Sequence, residues 1–295
     1  MSRKMEFSSL HTHTLFCDGR NDVETMCRTA FEKGLVSIGF SAHGPIYKKT
    51  GIKTKWHLSD ERLEDYMNEV RAARRRWEGK LAVFLGLELD YIKGLRSARD
   101  QDICSLELDY IIGSVHYILP ENGAQPFTID SPPEEVERGI KDGFGGDGEA
   151  MMHAYWDAVA QMIALGGFDI LGHADLIKKN NRNNRLFKME SGAWLKRITE
   201  TADAAGRSGC VTECNMGLVN RGYSAETSPS LTFLRLLRER NVPIIITADA
   251  HKAENLDGCY ETAVRTLIQA GYEEHVLFEG RDSGKARWRR EKINP

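Results

Sequence analysis

Short apolar runs alternate with stretches of helical periodicity along most of the chain. The runs predict seven strands, at 7–11, 36–41, 81–88, 110–116, 170–173, 210–215 and 243–249, with 276–279 as a weaker eighth. Strands that alternate with helices in this way are typical of βα units around a parallel sheet. The pattern therefore predicts an α/β protein.

The stretches between the runs have the start and stop signals of helices. Apolar residues at 23, 26, 27, 30 and 31 lie on one helix face, with Asn21 or Asp22 placed to cap its start and Gly34 to end it. A later helix is predicted to open at Ser228 and Pro229, because proline favours the first helical position. This order favours a single (βα) barrel of seven or eight units over residues 1–295.

One segment, 119–149, interrupts the alternation. It contains four prolines, a glycine-rich run at 143–148 and only a short helical pattern at 134–140. Long loops in compact domains are usually functional or disordered. We therefore expect a long loop at 119–149 that covers one end of the barrel.

Charge and hydropathy indicate which partners and which cellular location the protein should have. The 295 residues include 40 Lys and Arg against 43 Asp and Glu, a net charge of −3, so no overall basic field attracts nucleic acid or an anionic membrane. The first thirty residues lack the apolar core of a signal peptide, and the apolar runs are too short to span a bilayer. We expect a cytoplasmic protein without nucleic-acid or membrane partners.

Candidate metal ligands follow the predicted strands. Six of the nine histidines lie there, accompanied by three carboxylates: His11, His13, His43, His116, His173, His251, Asp18, Glu88 and Asp249. The carboxyl ends of parallel barrel strands converge on one face, so these side chains should meet there. Burying so many polar groups together is costly unless cations compensate them. Imidazole and carboxylate ligands suit Zn²⁺, Fe²⁺ or Mn²⁺.

The other three histidines lie outside this pattern. His57 and His275 are assigned to solvent, and His153 falls in a predicted helix at 151–165 from which it could face the site.

The motifs around the candidate ligands resemble those of the polymerase-and-histidinol-phosphatase (PHP) superfamily, and more narrowly its histidinol-phosphate phosphatases. They occur in order along nearly the whole chain: Leu-His-Thr-His-Thr at 10–14, Ser-Ala-His-Gly-Pro at 41–45, Gly-Leu-Glu-Leu-Asp at 86–90, Gly-Ser-Val-His at 113–116, Leu-Gly-His-Ala-Asp-Leu-Ile-Lys-Lys at 171–179 and Thr-Ala-Asp-Ala-His at 247–251. The resemblance implies a distorted (β/α)7 TIM-like barrel.

The resemblance also implies three divalent metal ions. The first would be held by His11, His13, Glu88 and Asp249, the second by Glu88, His116 and His173, and the third by Asp18, His43 and His251. Glu88 would bridge the first two ions.

The implied reaction is hydrolysis of a small phosphate monoester, L-histidinol phosphate, to L-histidinol and phosphate in histidine biosynthesis. Two divalent ions about 3.5–4 Å apart can activate a water for direct attack on phosphorus. We expect Glu88, Asp249 and His251 to act in catalysis. The proton for the leaving alkoxide could come from a metal-bound water, from Asp249 or from His251.

Basic residues near the same face are candidates for gripping the phosphate. The run 178–185 follows His173, and Arg221 follows the sixth predicted strand. An Arg fork can bind two phosphoryl oxygens at once. We expect Arg221 to do so, together with one of Lys178, Arg182 and Arg185.

Three other functions fit parts of the pattern. Amidohydrolases also begin with His-x-His and end with a ligating Asp, but they commonly bridge their metals with a modified Lys where Glu88 stands here. A nuclease of the same superfamily would act on a phosphodiester, although the basic run 74–76 lies among charges typical of a solvated helix face. A non-catalytic metal-binding scaffold is the third, and the intact ligand set argues against it.

Overall fold

The structure is a computed structural model that describes residues 5–46, 50–52 and 54–293. Its centre is a sheet of seven parallel strands: β1 Ser8–Ser9, β2 Ser37–His43, β3 Ala82–Asp90, β4 Tyr110–Ser114, β7 Ile170–Leu171, β8 Val211–Asn215 and β9 Ile244–Thr247. Their spatial order is β1-β2-β3-β4-β7-β8-β9, and β5 and β6 lie outside this sheet. All seven strands of the predicted barrel are therefore present.

The sheet closes on itself just beyond the last strand. The Ala250 amide donates to the His11 carbonyl, and the His13 amide donates to the Ala250 carbonyl, both at 2.9 Å. This parallel bridge joins the first and last barrel strands next to the His-x-His motif. The α/β fold, a distorted (β/α)7 TIM-like barrel, is confirmed.

Helices surround the barrel. They are α1 Val23–Glu32, α2 Leu63–Arg76, α3 Gln101–Cys104, α4 Pro133–Phe144, α5 Gly148–Leu165, α6 Gly192–Ser208, α7 Gly217–Asn220, α8 Leu231–Glu239 and α9 Tyr260–Ala270, with short 3-10 turns at Asp60–Arg62, Leu176–Asn180, Arg182–Asn184 and Ala253–Asn255. Asp22 caps α1, because its carboxylate accepts the Thr25 amide at 2.7 Å. No helix among the described residues is both long and apolar enough to cross a membrane.

The start of α8 differs from the prediction. Its N-cap is Ser230, two residues after the position expected from Pro229. The reason is that Ser228 is held in an extended bridge to Asn215 at the end of β8, with backbone hydrogen bonds of 2.8 and 3.0 Å. The chain can turn into the helix only after that bridge.

The weak eighth strand is not part of the barrel, so that expectation was wrong. It lies in β10 Glu274–Asp282, which pairs antiparallel with β11 Lys285–Lys292 in a separate hairpin. Val276 and Phe278 of this hairpin pack on the first residues of several barrel strands, among them Tyr110. Gly86 leaves the space for the Tyr110 ring, since a Cβ there would lie 2.6 Å from it. The hairpin thus fills the amino-terminal mouth of the barrel.

The segment 119–149 contains more regular structure than its sequence predicts. It is preceded by β5 Tyr117–Ile118, which pairs antiparallel with β6 Phe127–Thr128, and it includes all of α4. Helix α4 begins at Pro133, which suits a first helical turn, and ends at Gly145 in the left-handed region, with φ of 62°. The short helical pattern at 134–140 falls in the first two thirds of this longer helix.

Candidate active site

The nine candidate ligands lie together at the carboxyl ends of the barrel strands. Strand register explains part of this, because His43 on β2 is the direct neighbour of Glu88 on β3. His11 and His13 come from the extension of β1, and Asp249 and His251 from the extension of β9. Four overlapping groups of these side chains bring their ligand atoms within 4.8 Å of one another: His13, Asp18, His43 and His251; His11, His173 and Asp249; His11, His13 and Glu88; and His43, Glu88 and His116.

Glu88 is the centre of this arrangement. Its Oε1 lies 2.9 Å from His173 Nε2 and 3.5 Å from His116 Nε2. Its Oε2 lies 3.1 Å from His11 Nε2 and 2.9 Å from His43 Nδ1. Burial opposes the charge of this side chain, but the imidazoles of His11 and His43 outweigh it and hold the pKa of Glu88 well below its ordinary value. Glu88 is therefore an ionised carboxylate that faces five imidazoles, since His13 Nε2 also lies 3.6 Å from its Oε2.

Several buried ligand atoms in the site make no hydrogen bond within the described part of the chain, even where they lie close to one another. They are Glu88 Oε2, Asp18 Oδ1, His11 Nε2, His13 Nε2 and His43 Nδ1. Buried polar atoms almost always have a partner, and five orphans in one place need an explanation. All five point into the same cluster, and they are hard nitrogen and oxygen donors of the type that divalent cations prefer. The donor set therefore fits metal ions.

A second part of the cluster surrounds Asp18. Its Oδ2 lies 3.1 Å from His251 Nε2, and its Oδ1 lies 3.7 Å from His43 Nε2. The His13 ring is stacked between those of His43 and His251, with centroid distances of 4.3 and 4.2 Å. Burial and these two neighbouring rings lower the pKa of His13 to about 3, so it is a neutral ring able to donate a lone pair.

Asp249 has an unusual backbone. Its φ is 50°, a left-handed conformation that non-glycine residues seldom adopt away from functional sites. The neighbouring Gly217 leaves room for the Asp249 carboxylate, since a Cβ there would lie 2.4 Å from Asp249 Oδ2. Arg221 Nη2 lies 3.3 Å from Asp249 Oδ2, and its Nη1 donates to His251 Nδ1 at 3.1 Å. Arg221 is therefore anchored at the edge of the ligand cluster.

A layer of hydrogen-bonding side chains behind the ligands orients them, and it was not predicted from the sequence. Glu213 is fully buried and accepts from His11 Nδ1 at 2.9 Å. Asp90 accepts from His116 Nδ1 at 2.9 Å, and Ser114 donates to Glu88 Oε1 at 2.7 Å. These contacts fix which imidazole nitrogen faces the cluster.

Two of the remaining histidines were assigned wrongly. His57 is not a solvent residue: its side chain is 2% exposed, and its Nε2 lies 2.7 Å from Asp90 Oδ2. Asp90 therefore contacts two histidines, His57 through Oδ2 and His116 through Oδ1. His275 is not exposed either, because it lies on β10 with its ring stacked on Phe7 at 5.8 Å. His153 belongs to none of the four ligand groups, and its Nδ1 accepts from Arg197 Nε at 2.9 Å.

The four candidate phosphate-binding residues do not all lie at the cavity over the ligand cluster. Arg221 lines the cavity over the ligand cluster. Lys178 instead donates to Asp175 Oδ2 at 3.0 Å and to the Thr227 carbonyl. Arg182 donates to two backbone carbonyls at 3.3 Å, and Arg185 donates to the Asn180 carbonyl at 3.1 Å and to the Glu137 carboxylate. These last three do not line the cavity.

The cavity itself has a volume of about 260 Å³. The ligand cluster forms its floor, and its walls include Trp56, Leu176, Asp130 and Arg221. It is a small concave site with polar groups that converge from several strands, which is typical of a site for a small molecule.

Comparisons with known proteins agree with this geometry. A family model described as the PHP domain matches residues 9–216. The chain is 26% identical over 264 residues to a protein from Deinococcus radiodurans named probable histidinol-phosphatase, covering 88% of this chain and 92% of the relative. It is 25% identical over 271 residues to the histidinol-phosphatase of Bacillus subtilis, covering 85% and 96%.

Two crystal structures share the fold. One is a Listeria monocytogenes protein assigned as a histidinol phosphatase, with a TM-score of 0.78 and 22% identity over 86% of this chain and 99% of that one. The other is the histidinol phosphate phosphatase of Lactococcus lactis in complex with zinc, L-histidinol and phosphate, with a TM-score of 0.69 and 18% identity over 93% and 97%. At these identities the likeness establishes the fold.

Proposed function

The chain belongs to the PHP domain family, and on that premise we propose that it is a metal-dependent phosphatase that hydrolyses L-histidinol phosphate to L-histidinol and phosphate. The observation that carries the proposal is the cluster of five buried ligand atoms, one of them Glu88 Oε2, that have no hydrogen-bond partner among the described residues. The two curated relatives, both named histidinol-phosphatases, support the choice of substrate. We also propose that residues 1–295 form one domain and that the protein is cytoplasmic.

Three divalent ions, of Zn, Fe or Mn, would be held by the nine ligands. In the division that the family resemblance implies, His11, His13, Glu88 and Asp249 would hold the first, Glu88, His116 and His173 the second, and Asp18, His43 and His251 the third. The last three lie in one group with His13. Such ions would supply Lewis-acid activation of a water and neutralise phosphoryl charge. The contacts of His43 with both Glu88 and Asp18 suggest that the third site adjoins the other two.

Arg221 would orient the phosphoryl group. Its guanidinium lines the cavity, and its contacts with Asp249 and His251 hold it beside the cluster. A fixed guanidinium can donate to two phosphoryl oxygens at once, which sets the orientation that a metal floor alone leaves open. Phosphoryl transfer depends mainly on such positioning and charge stabilisation.

Asp249 would transfer the proton from the attacking water to the leaving alkoxide. Burial opposes its charge, but Arg221 and His11 hold the pKa of Asp249 well below its ordinary value, so it is a carboxylate at neutral pH. A carboxylate at this position can accept a proton from the attacking water and pass it to the leaving alkoxide. We propose this role for Asp249, with His251 as the alternative donor.

Replacement of Glu88 tests the proposal. Glu88→Ala should lose bound metal and activity together, because the carboxylate contacts the imidazoles of two proposed metal sites. Elemental analysis and phosphate release from L-histidinol phosphate measure both quantities. A Glu88→Ala variant with wild-type turnover would refute the site. A wild-type preference for a phosphodiester would favour a nuclease instead.

A further inference from the structure

Asp130 lies in the active-site cavity but outside the ligand cluster. It lines the cavity together with Arg221 and His116. It is not a member of any of the four ligand groups found among the described residues. Its charge is near enough to act on both Arg221 and His116. The cavity therefore contains a carboxylate that the proposed reaction does not use.

Hydrogen bonds hold each residue of the segment 129–131, which contains Asp130. The Ile129 amide donates to the His116 carbonyl at 2.9 Å. The Asn180 side chain donates to the carbonyls of residues 129 and 131 at 2.9 and 3.0 Å, and Lys179 Nζ donates to the Asp130 carbonyl at 2.8 Å. Part of the basic run at 178–185 thus builds the rim of the cavity. Asp130 is held in a fixed place relative to the floor.

One carboxylate oxygen of Asp130 is available to accept a hydrogen bond from a ligand. Its Oδ1 accepts from Lys179 Nζ at 2.6 Å. Its Oδ2 has no hydrogen-bond partner in the described part of the chain, and 33% of the side chain is exposed. A carboxylate oxygen that is partly withdrawn from water and held in place can accept a charge-assisted hydrogen bond from a cation.

We propose that Asp130 selects substrates whose alcohol half carries an ammonium group. This inference rests on the proposed phosphatase function. The ligand floor and Arg221 attract the phosphoryl dianion, so the remainder of the substrate extends toward the rim. Because Lys179 binds only Oδ1, Oδ2 can accept a hydrogen bond from a primary ammonium, whereas a second phosphate or a carboxylate has no proton to donate to it. Asp130 is thus a specificity-determining residue that acts on the leaving group.

Two substrates that differ only in the ammonium group test the inference. They are L-histidinol phosphate and its deamino analogue, 3-(imidazol-4-yl)propyl phosphate. Wild-type enzyme loaded with Mn²⁺ or Zn²⁺ should favour the ammonium substrate by about tenfold or more in kcat/KM. Asp130→Asn should lose about tenfold to a hundredfold on that substrate, mainly through KM, and less than about threefold on the analogue.

Lys179→Met is the matched control. It removes the partner of Asp130 Oδ1 but leaves the carboxylate, so turnover of both substrates can fall while the preference for the ammonium substrate remains. An equal loss on both substrates in Asp130→Asn would overturn the inference, because Asp130 would then be only part of the rim. A wild-type enzyme that hydrolyses both substrates equally would also overturn it while leaving the phosphatase function standing. If wild type releases phosphate from neither, the proposed function fails as well.

Discussion

Glu213→Gln is the most informative single substitution, because it changes one atom in the layer behind the ligands. Each oxygen of Glu213 accepts two hydrogen bonds. Oε1 accepts from the His173 amide at 2.5 Å and Asn215 Nδ2 at 2.9 Å, and Oε2 accepts from His11 Nδ1 at 2.9 Å and Thr247 Oγ1 at 2.7 Å. An amide can replace only one of these oxygens and cannot accept at its nitrogen.

The position of the new NH₂ group follows from the donors. At the Oε1 position it would face the backbone amide of His173, which cannot reverse its role, at a cost of about 1–3 kcal/mol. At the Oε2 position the Thr247 hydroxyl can rotate, but His11 must change tautomer and place its proton on Nε2. That nitrogen is the atom 3.1 Å from Glu88 Oε2, so the lone pair proposed to bind metal is lost.

We therefore expect Glu213→Gln to weaken metal binding by about tenfold to a hundredfold, equivalent to about 1.4–2.7 kcal/mol. Competition with a chelator measures the affinity, and thermal unfolding of the metal-free protein measures any loss of stability. Thr247→Val is the control, because it removes one donor and leaves His11 in its original tautomer. Equal metal affinities for wild type and Glu213→Gln would show that Glu213 does not set the tautomer of His11.

Three further substitutions test other parts of the site and fold. Arg221→Ala should reduce kcat/KM by about ten- to a thousandfold with metal content unchanged, whereas Arg182→Ala, outside the cavity, should stay within about threefold; equal effects would contradict the assignment of Arg221. His57→Phe removes the contact with Asp90 and should lower metal affinity by roughly threefold to tenfold in the same chelator assay, and an unchanged affinity would show that His57 does not help to position His116. Burial lowers the pKa of His275 to about 4, so the unfolded chain takes up a proton first as the pH falls below about 6.5, and the native state is destabilised over that range. Between pH 8 and pH 5, denaturant unfolding should show wild type losing about 2 kcal/mol more than His275→Phe; parallel losses would show that His275 is not buried and neutral.

The strand ends could be located from the sequence because the signal there is local. A histidine or carboxylate directly after an apolar run must lie at the carboxyl end of a strand, and parallel strands bring those ends together. His43 and Glu88, which are neighbours in register, illustrate this. The same reasoning could have found Asp90 and Glu213. Asp90 lies two residues after Glu88, on the same side of the strand, and Glu213 is a charge inside an apolar run.

Other features depend on distant partners and have no local signal. His57 is buried only because its ring meets Asp90 on β3. The basic run at 178–185 resembles an exposed phosphate clamp, but Lys178 and Lys179 are bound by Asp175, Thr227 and Asp130. The 276–279 run has strand periodicity, yet which sheet it joins is decided by the hairpin with β11.

The most direct test of the metal-dependent phosphatase is the rate of phosphate release from L-histidinol phosphate. The protein is freed of metal with a chelator and then reconstituted with Zn²⁺, Mn²⁺ or Fe²⁺. A metal-dependent phosphatase should show no turnover before reconstitution and, after it, a kcat/KM for L-histidinol phosphate at least about tenfold above that for a bis-ester or a dinucleotide. Equal turnover without metal, or a preference for the diester, would contradict it.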